Sequence, residues 1–160
     1  THGKPIVKAF NPEKDETDTE LAISLALTLS PKDIVLLGAT GTRLDHTLAN
    51  IELLYKPLSG VVRTSIIDEH NVIIIHDKDI TIKRTEAFGE YFSLIPFTET
   101  VKGLSIKGAK YELDNFILSS GCSLGVSNEF EKDKVRISFS SGIVILFQTD
   151  DNRLVLKGKL

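Results

Sequence analysis

The chain has 160 residues, of which 41% are hydrophobic and 26% are charged, and its formal net charge is −3. This composition can bury a core without disulfides or a structural metal. The slight acidity and the absence of a basic run argue against a nucleic-acid-binding surface, and no apolar run reaches the roughly 18 residues of a membrane span.

The cysteine content and the first residues of the chain bear on its cellular compartment. The single cysteine, Cys122, cannot form an internal disulfide, which fits a reducing compartment. No secretory signal opens the chain, so the cytoplasm is expected. Methionine is absent and the first residue is Thr1. We therefore expect a fragment or a processed form of a longer protein.

The first half of the chain alternates between helical and strand patterns. Residues 19–29 have helical spacing and are apolar nearly all round, which predicts a well-buried helix. Residues 34–37 form a continuous apolar run, typical of a strand buried on both faces. A second helix is predicted at residues 45–56 and a second strand at residues 61–67. This order of strand, helix and strand predicts a parallel pair.

From residue 72 onward the pattern is one of short strands separated by turn residues. The predicted strands are residues 72–75, 80–83, 91–95, 101–106, 116–118, 135–139 and 143–148. Close spacing of short strands predicts an antiparallel β-sandwich. Residues 140–142, Ser-Ser-Gly, are expected to form a hairpin turn between the last two strands. A polar break near residues 76–79 divides the chain into an α/β part, residues 1–77, and a sandwich, residues 78–160.

The first candidate site is the acidic segment at residues 14–20, directly before the first predicted helix. Thr17 and Glu20 have the spacing of a capping box, and acids favour a helix N-terminus, so these residues alone favour a structural role. The alternative is a magnesium and phosphate site, because Mg²⁺ binds carboxylates together with substrate phosphates.

The second candidate is the glycine-rich segment at residues 38–46, which leaves a predicted strand and enters a helix. Ligands bind at this position in open α/β sheets. The Gly-Lys-Ser/Thr ending of a P-loop is missing. Arg43 could bind phosphate, and Asp45 could bind a metal or accept a hydroxyl proton. The alternatives are a surface Arg43, an Asp45 that caps the helix, and a His46 that only orients its neighbours.

The third candidate is the serine-rich loop at residues 119–129, between two predicted strands. Its composition favours a structural loop, although serine and asparagine side chains can also hydrogen-bond a polar heterocycle. Cys122 has no plausible base nearby in the sequence. We expect it to be a small buried residue and not a nucleophile.

The identity and order of three motifs resemble thiamine pyrophosphokinase of the bacterial type. The motifs are Lys-Asp-x-Thr-Asp, Gly-x-x-Gly-x-Arg-x-Asp-His and Ser-x-Gly-x-Ser-Asn. The resemblance implies a truncated parallel-sheet α/β ATP-binding domain followed by an antiparallel β-sandwich that contributes to thiamine binding. It also implies a homodimeric enzyme that uses Mg²⁺ and transfers the diphosphoryl group of ATP to the thiamine hydroxyl, giving AMP and thiamine diphosphate.

The resemblance also assigns roles to the acidic segment. Asp15 and Asp18 would bind Mg²⁺, and Asp18 would take part in catalysis. Thr17, beside them, would contact substrate.

The other two motifs supply the remaining predicted site residues. Arg43 would contact the polyphosphate, and Asp45 would position or deprotonate the thiamine hydroxyl. His46 would belong to the substrate-binding set. Ser127 and Asn128 would line the thiamine side of the site from the sandwich.

The family's N-terminal segment, with a Gly-Asp-x-Asp-Ser type of motif, has no match in this sequence. We therefore expect residues 1–160 alone to bind ATP weakly and to be poorly active. Two alternative functions stay open: a non-catalytic β-sandwich that binds a ligand or a partner, and a magnesium–nucleotide phosphotransferase with another acceptor. Convergence of Asp15, Asp18 and Asp45 on one cleft would favour an enzyme, whereas helix caps would sit apart.

Overall fold

A computed structural model describes residues 15–60 and 62–152 of the chain. Within these ranges the chain forms three α-helices, one short 3₁₀-helix and ten β-strands. The helices are α1 (Asp18–Thr28), α2 (Leu44–Glu52), α3 (Tyr55–Leu58) and the 3₁₀-helix (Arg84–Glu86). The strands are β1 (Asp33–Leu37), β2 (Arg63–Ile67), β3 (Asn71–His76), β4 (Ile80–Lys83), β5 (Tyr91–Pro96), β6 (Thr100–Lys107), β7 (Leu113–Ser119), β8 (Asn128–Glu129), β9 (Lys134–Ser138) and β10 (Val144–Thr149). Lys14 and Val61, which belong to predicted elements, lie outside the described residues.

The described strands form two sheets. One has six strands in the order β1-β2-β3-β10-β5-β8, and the other has four in the order β4-β9-β6-β7. The pair β1 and β2 is parallel, as the order of strand, helix and strand predicts. The predicted fold class, an α/β part followed by an antiparallel sandwich, is confirmed. The two parts share one sheet, because β3 before the predicted boundary pairs with β10 after it.

Strand β10 contributes to two hydrophobic cores. Val144 and Leu146 lie in the core between the two sheets. Ile145 faces the other way, into the core that the six-stranded sheet forms with Ile51 of α2 and Leu54. A strand covered on both faces needs apolar side chains at successive positions. This double burial explains why residues 144–147 of β10 are continuously apolar and do not alternate.

The prediction that the first strand is buried on both faces is wrong for this chain. Ile34 is buried, but Val35 and Leu37 are 46% and 62% exposed. Strand β1 lies at the edge of the six-stranded sheet. Helix α1 is likewise less buried than predicted, since Ile23 is its one buried residue within the described chain. Apolar composition shows what a segment can bury, whereas burial depends on the neighbours that the fold supplies.

The second predicted helix is divided into two. Helix α2 ends at Glu52, and α3 then begins at Tyr55 and contains Pro57. Proline lacks the backbone N–H and is tolerated in the first turn of a helix, where no intrahelical hydrogen bond is lost. The break therefore places Pro57 in a first turn, where its missing N–H does little harm. None of the helices in the described residues is long and apolar enough to cross a membrane.

The hairpin predicted at residues 140–142 is also wrong. Strand β9 belongs to the four-stranded sheet and β10 to the six-stranded sheet, so the turn crosses from one sheet to the other. Gly142 has a φ of 102°, and a Cβ there would lie 2.6 Å from the carbonyl oxygen of Thr100. The turn residues were recognised correctly, but turn chemistry does not specify which sheet receives the next strand.

Candidate functional site

A cleft of about 1040 Å³ opens where the chain leaves the carboxyl end of β1. Residues 38–43, called here the cleft loop, and the first half of α2 form one wall, and the start of α1 forms the other. Arg43, Asp45 and His46 line the first wall, and Thr17 and Asp18 line the second. Two of the three candidate segments therefore meet in one place, although they are separated in the sequence.

The cleft loop begins with a backbone turn that only glycine adopts easily. Gly38 has a φ of 69°, in the left-handed region. A Cβ at this position would meet no atom within 4 Å, so the backbone conformation and not crowding requires glycine. The turn sends the chain from β1 along the wall of the cleft.

Two side chains of α2 hold the cleft loop against the helix. The Asn50 side-chain amide donates to the carbonyl oxygen of Ala39 at 2.7 Å. The Thr47 hydroxyl accepts from the N–H of Gly41 and donates to the carbonyl oxygen of Arg43, both at 3.3 Å. Neither role is predictable from the motif, because each depends on contacts that the motif itself does not reveal.

A third support comes from the end of the neighbouring strand. Asp68 follows β2, and its carboxylate accepts a hydrogen bond from the Thr40 hydroxyl at 2.8 Å. The N–H groups of His70 and Asn71 also donate to this carboxylate, each at 2.8 Å. The sequence analysis missed Asp68 as well. A signal was present, since an acidic residue at the end of a strand parallel to β1 must lie at the same edge of the sheet as the cleft loop.

Arg43 and Asp45 form a bidentate ion pair on the cleft wall. The guanidinium Nε donates to Oδ1 at 3.2 Å, and Nη2 donates to Oδ2 at 2.5 Å. Both side chains are largely exposed, at 68% and 63%. The hydrogen bond from Arg43 is the main cause that holds the pKa of Asp45 below its ordinary value. Asp45 is therefore a carboxylate at neutral pH and a weak base.

The alternative that Asp45 caps the second helix is wrong. Arg43 occupies the N-cap position of α2 and makes no side-chain capping bond, while Asp45 lies within the first turn. An acid in the first turn still favours the helix through its dipole. His46 follows Asp45 and is exposed to the cleft.

The acidic segment has a structural role as well as a place on the cleft. Thr17 is the N-cap of α1, and its hydroxyl accepts from the N–H of Glu20 at 3.2 Å. The predicted capping box is half formed, since the Glu20 carboxylate instead accepts from Lys56 Nζ at 3.2 Å. Asp18 begins the helix and lines the cleft. Asp15 is exposed and does not line the cleft that the described residues form.

The carboxylates suit a magnesium ion only in part. Among residues 15–60 and 62–152, no three His, Cys, Asp or Glu side chains lie together closely enough to hold a metal. Mg²⁺ commonly takes one or two carboxylates and completes its shell with substrate phosphates and water. The oxygen chemistry of Asp18 therefore fits a Mg²⁺ ion that a nucleotide brings into the cleft. It does not fit a metal held by these residues alone.

The third candidate segment lies outside this cleft. Asn128 belongs to β8, which is too short for sequence analysis to detect, and the residue is 3% exposed. Its side-chain oxygen accepts from the N–H of Tyr111 at 3.0 Å, and its amide donates to the carbonyl oxygen of Tyr111 at 2.7 Å. Ser127 has a φ of 57°, and its N–H donates to the buried Ser93 hydroxyl at 3.0 Å. The thiamine contacts predicted for Ser127 and Asn128 stay predictions.

We expect the substitution Asn128→Ala to lower the free energy of unfolding by about 2–3 kcal/mol, because it removes a buried side chain together with its hydrogen bonds to both backbone groups of Tyr111. Urea unfolding would measure the loss. Asn152→Ala, at an exposed position, is the matched control and should change stability by less than about 0.5 kcal/mol. A similarly small loss for Asn128→Ala would contradict the structural role.

Comparison with known proteins gives one consistent result. Residues 2–66 match the family model for the thiamin pyrophosphokinase catalytic domain, and residues 77–144 match the model for the thiamin pyrophosphokinase vitamin B1 binding domain. The thiamine pyrophosphokinase of Bacillus subtilis (strain 168) is 36% identical over 148 residues, which cover 92% of this chain and 69% of that protein.

Solved structures give the same result. The crystal structure of thiamine pyrophosphokinase from Bacillus subtilis matches with a TM-score of 0.82 and 37% identity, covering 88% of this chain and 66% of that one. A thiamin pyrophosphokinase family protein from Enterococcus faecalis matches with a TM-score of 0.80 and 33% identity, covering 89% and 68%. The chain thus spans between 66% and 69% of the length of these relatives.

Proposed function

The chain belongs to the thiamin pyrophosphokinase family, and from this premise we propose that its cleft binds ATP and thiamine for diphosphoryl transfer. The reaction of the family converts thiamine and ATP to thiamine diphosphate and AMP. The observation that carries the proposal is the convergence of Asp18, Arg43 and Asp45 on one cleft at the carboxyl end of a parallel strand. Of the three carboxylates expected to converge in an enzyme, Asp18 and Asp45 line the cleft, each in the first turn of its own helix, whereas Asp15 does not.

The walls of the cleft suit a polyphosphate despite the acidic chain. The first turns of α1 and α2 both contribute to the lining, and helix N-termini attract phosphate through their free N–H groups and dipoles. Arg43 adds a guanidinium that can bind phosphate oxygens bidentately. Bound Mg²⁺ would neutralise charge on the phosphate oxygens, with Asp18 as its protein ligand and Asp15 as a second predicted one.

Binding of ATP changes the partner of Arg43. In the free chain the guanidinium is occupied by Asp45. A polyphosphate that takes over Arg43 leaves the Asp45 carboxylate available to accept a hydrogen bond from the thiamine hydroxyl. The two residues thus pass from an ion pair with each other to contacts with the two substrates.

Asp45 then acts mainly by orientation. The hydroxyl oxygen of thiamine attacks the β-phosphorus of ATP in line, the bond from that phosphorus to the α,β-bridging oxygen breaks, and AMP leaves with that oxygen. The hydroxyl proton is released to water. Transfers of this kind depend on positioning and charge stabilisation more than on strong base catalysis. A carboxylate with a lowered pKa suits this role, since it accepts a hydrogen bond but holds a proton weakly.

The acidic residues of the cleft suit the positive charge of thiamine. Thiamine is a cation, and Glu16, Asp18 and Asp45 all line the cleft, so the local field favours its approach. Ser127 and Asn128 do not line this cleft. Their predicted contact with thiamine is consistent with a homodimer in which a second protomer supplies the sandwich part. The homodimer and the cytoplasmic location stay predictions.

The proposal is tested on a form of the protein that includes the family's N-terminal segment, since residues 1–160 alone are expected to be poorly active. This protein is incubated with thiamine, ATP and Mg²⁺, and the products are quantified by chromatography. We expect thiamine diphosphate and AMP in equal amounts. A parallel incubation contains an unrelated alcohol in place of thiamine. Phosphorylation of that alcohol with formation of ADP would support the alternative phosphotransferase.

Thermal unfolding with thiamine, pyrithiamine or an unrelated alcohol tests binding separately from turnover. A ligand at 100 times its Kd stabilises the native state by about 2.7 kcal/mol. No product together with no thiamine-dependent shift would reject the proposal. A shift without product would support the non-catalytic alternative.

A further inference from the structure

The cleft loop is joined to the adjacent strand by one side-chain hydrogen bond. Thr40 lies in the loop after β1, and Asp68 lies directly after β2. The Thr40 hydroxyl donates to Asp68 Oδ2 at 2.8 Å, and both groups are partly buried. Asp68 itself does not line the cleft, whereas Thr40 does. Thr40 is therefore a direct link between Asp68 and the wall of the cleft.

The Asp68 carboxylate is itself held in one orientation. Its Oδ1 accepts from the backbone N–H groups of His70 and Asn71, and the Asn71 side-chain amide reaches both carboxylate oxygens at 3.0 and 3.2 Å. Burial acts to raise the pKa of Asp68, but the hydrogen bonds from His70, Thr40 and Asn71 outweigh it and lower that pKa below its ordinary value. The carboxylate is thus ionised, and a hydrogen bond to an ionised acceptor is stronger than a neutral one.

The bond is not needed to keep the two strands together. Strands β1 and β2 pair in parallel over five residue positions, from Asp33 with Arg63 to Leu37 with Ile67. The Thr40–Asp68 bond lies beyond the end of this ladder. It therefore acts on the position of the cleft loop and not on the register of the sheet.

We propose that Asp68 is a positioning residue of the active site: by holding Thr40, it fixes the cleft loop in the geometry in which Arg43 and Asp45 meet their substrates. This inference rests on the proposed function. A displacement of about 1 Å in a group that orients substrates can lower a rate by up to about 100-fold. One hydrogen bond at the base of the loop can thus affect catalysis without touching either substrate.

The test compares substitutions at both ends of the bond. Thr40→Val removes the hydroxyl at nearly constant shape, and Thr40→Ser keeps it. Asp68→Asn leaves one oxygen for the His70 and Asn71 N–H groups and puts an NH2 group, which cannot accept from Thr40, in place of the other. We expect Thr40→Val and Asp68→Asn to lower kcat per folded molecule by about 10- to 100-fold. Thr40→Ser should stay within about threefold of the parent chain. The double variant should be no slower than the slower single one, because both changes remove the same interaction.

Amide hydrogen exchange gives a second measurement that needs no turnover. The Gly41 N–H, which donates to Thr47, should exchange about tenfold faster in Thr40→Val and Asp68→Asn, while amides of the β1–β2 ladder are unchanged. Thr98→Val is the matched control, since the Thr98 hydroxyl also makes partly buried hydrogen bonds, to the carbonyl oxygen of Thr100 and the N–H of Ile143, but lies outside the cleft. It should leave the Gly41 exchange and kcat per folded molecule unchanged.

The outcomes separate this inference from the proposed function. If the parent chain makes no thiamine diphosphate, the proposed function fails, and the Gly41 exchange still decides whether Asp68 holds the loop. Unchanged Gly41 exchange in Thr40→Val and Asp68→Asn overturns the inference. Additive losses of kcat in the double variant, or faster exchange spread equally over the β1–β2 ladder, also overturn it.

Discussion

Substitution of Asp45 by asparagine is expected to lower the kcat for thiamine diphosphate formation by about 100-fold, within the range for loss of a positioned acid or base. The asparagine keeps the shape but removes the charge that orients the thiamine hydroxyl. The KM for ATP should stay the same or fall, because the substitution removes the carboxylate that competes with ATP for Arg43. Steady-state kinetics with each substrate varied in turn would measure both quantities.

Asp33 provides the matched control for this prediction. It also forms an exposed ion pair with an arginine, Arg63, at 2.7 Å, but it lies at the start of β1 and outside the cleft. Exposed pairs of this kind contribute little to stability. Asp33→Asn should therefore leave kcat within about twofold. A kcat for Asp45→Asn that matches this control would show that Asp45 does not orient the acceptor.

Substitution of Leu146 by alanine is expected to lower the free energy of unfolding by about 2–5 kcal/mol, the usual cost of removing a large buried aliphatic side chain. Leu146 is 1% exposed and lies in β10, between Ile74 of β3 and Leu94 of β5. The alanine would leave a cavity in the core between the two sheets, on β10 itself, which connects the α/β part to the sandwich. Urea unfolding followed by circular dichroism would measure the loss.

Ile117→Ala is the control for the core prediction. Ile117 is also an aliphatic strand residue, in β7, but it is 55% exposed. Its substitution should cost less than about 1 kcal/mol, since little apolar area is lost from the interior. If Leu146→Ala also lowered the free energy of unfolding by less than about 1 kcal/mol, the burial of Leu146 in β10 would not contribute to stability as predicted.

Local patterns in the sequence were sufficient for most elements. The strands of the second half were predicted closely, because each is bounded by turn residues and has the composition of a strand. The helix at residues 19–29 corresponds to α1, and the segment at residues 38–46 corresponds to a wall of the cleft. The family was also predicted correctly, since the order of three motifs is far more specific than any one of them.

Other features depend on contacts between distant residues. The roles of Asp68 and Asn50 were not predicted from the sequence, because each supports the cleft loop through a partner that only the fold brings near. Nor does the sequence reveal that the Asn128 side chain is joined to both backbone groups of Tyr111. A motif shows which residues are near each other in the sequence, whereas these hydrogen bonds join residues that are near each other only in the folded structure.

The sequence by itself therefore determined the composition of the candidate segments: a glycine-rich turn after a strand, an arginine directly before a helix, acids in the first turns of two helices, and a serine-rich loop in a sandwich. Only the tertiary structure decided that the first two of these share a cleft and that the third lies elsewhere. The physical reason is that backbone propensity and apolar periodicity act over a few residues. Sheet order, burial of β1 and the pairing of Thr40 with Asp68 depend on segments far apart in the chain.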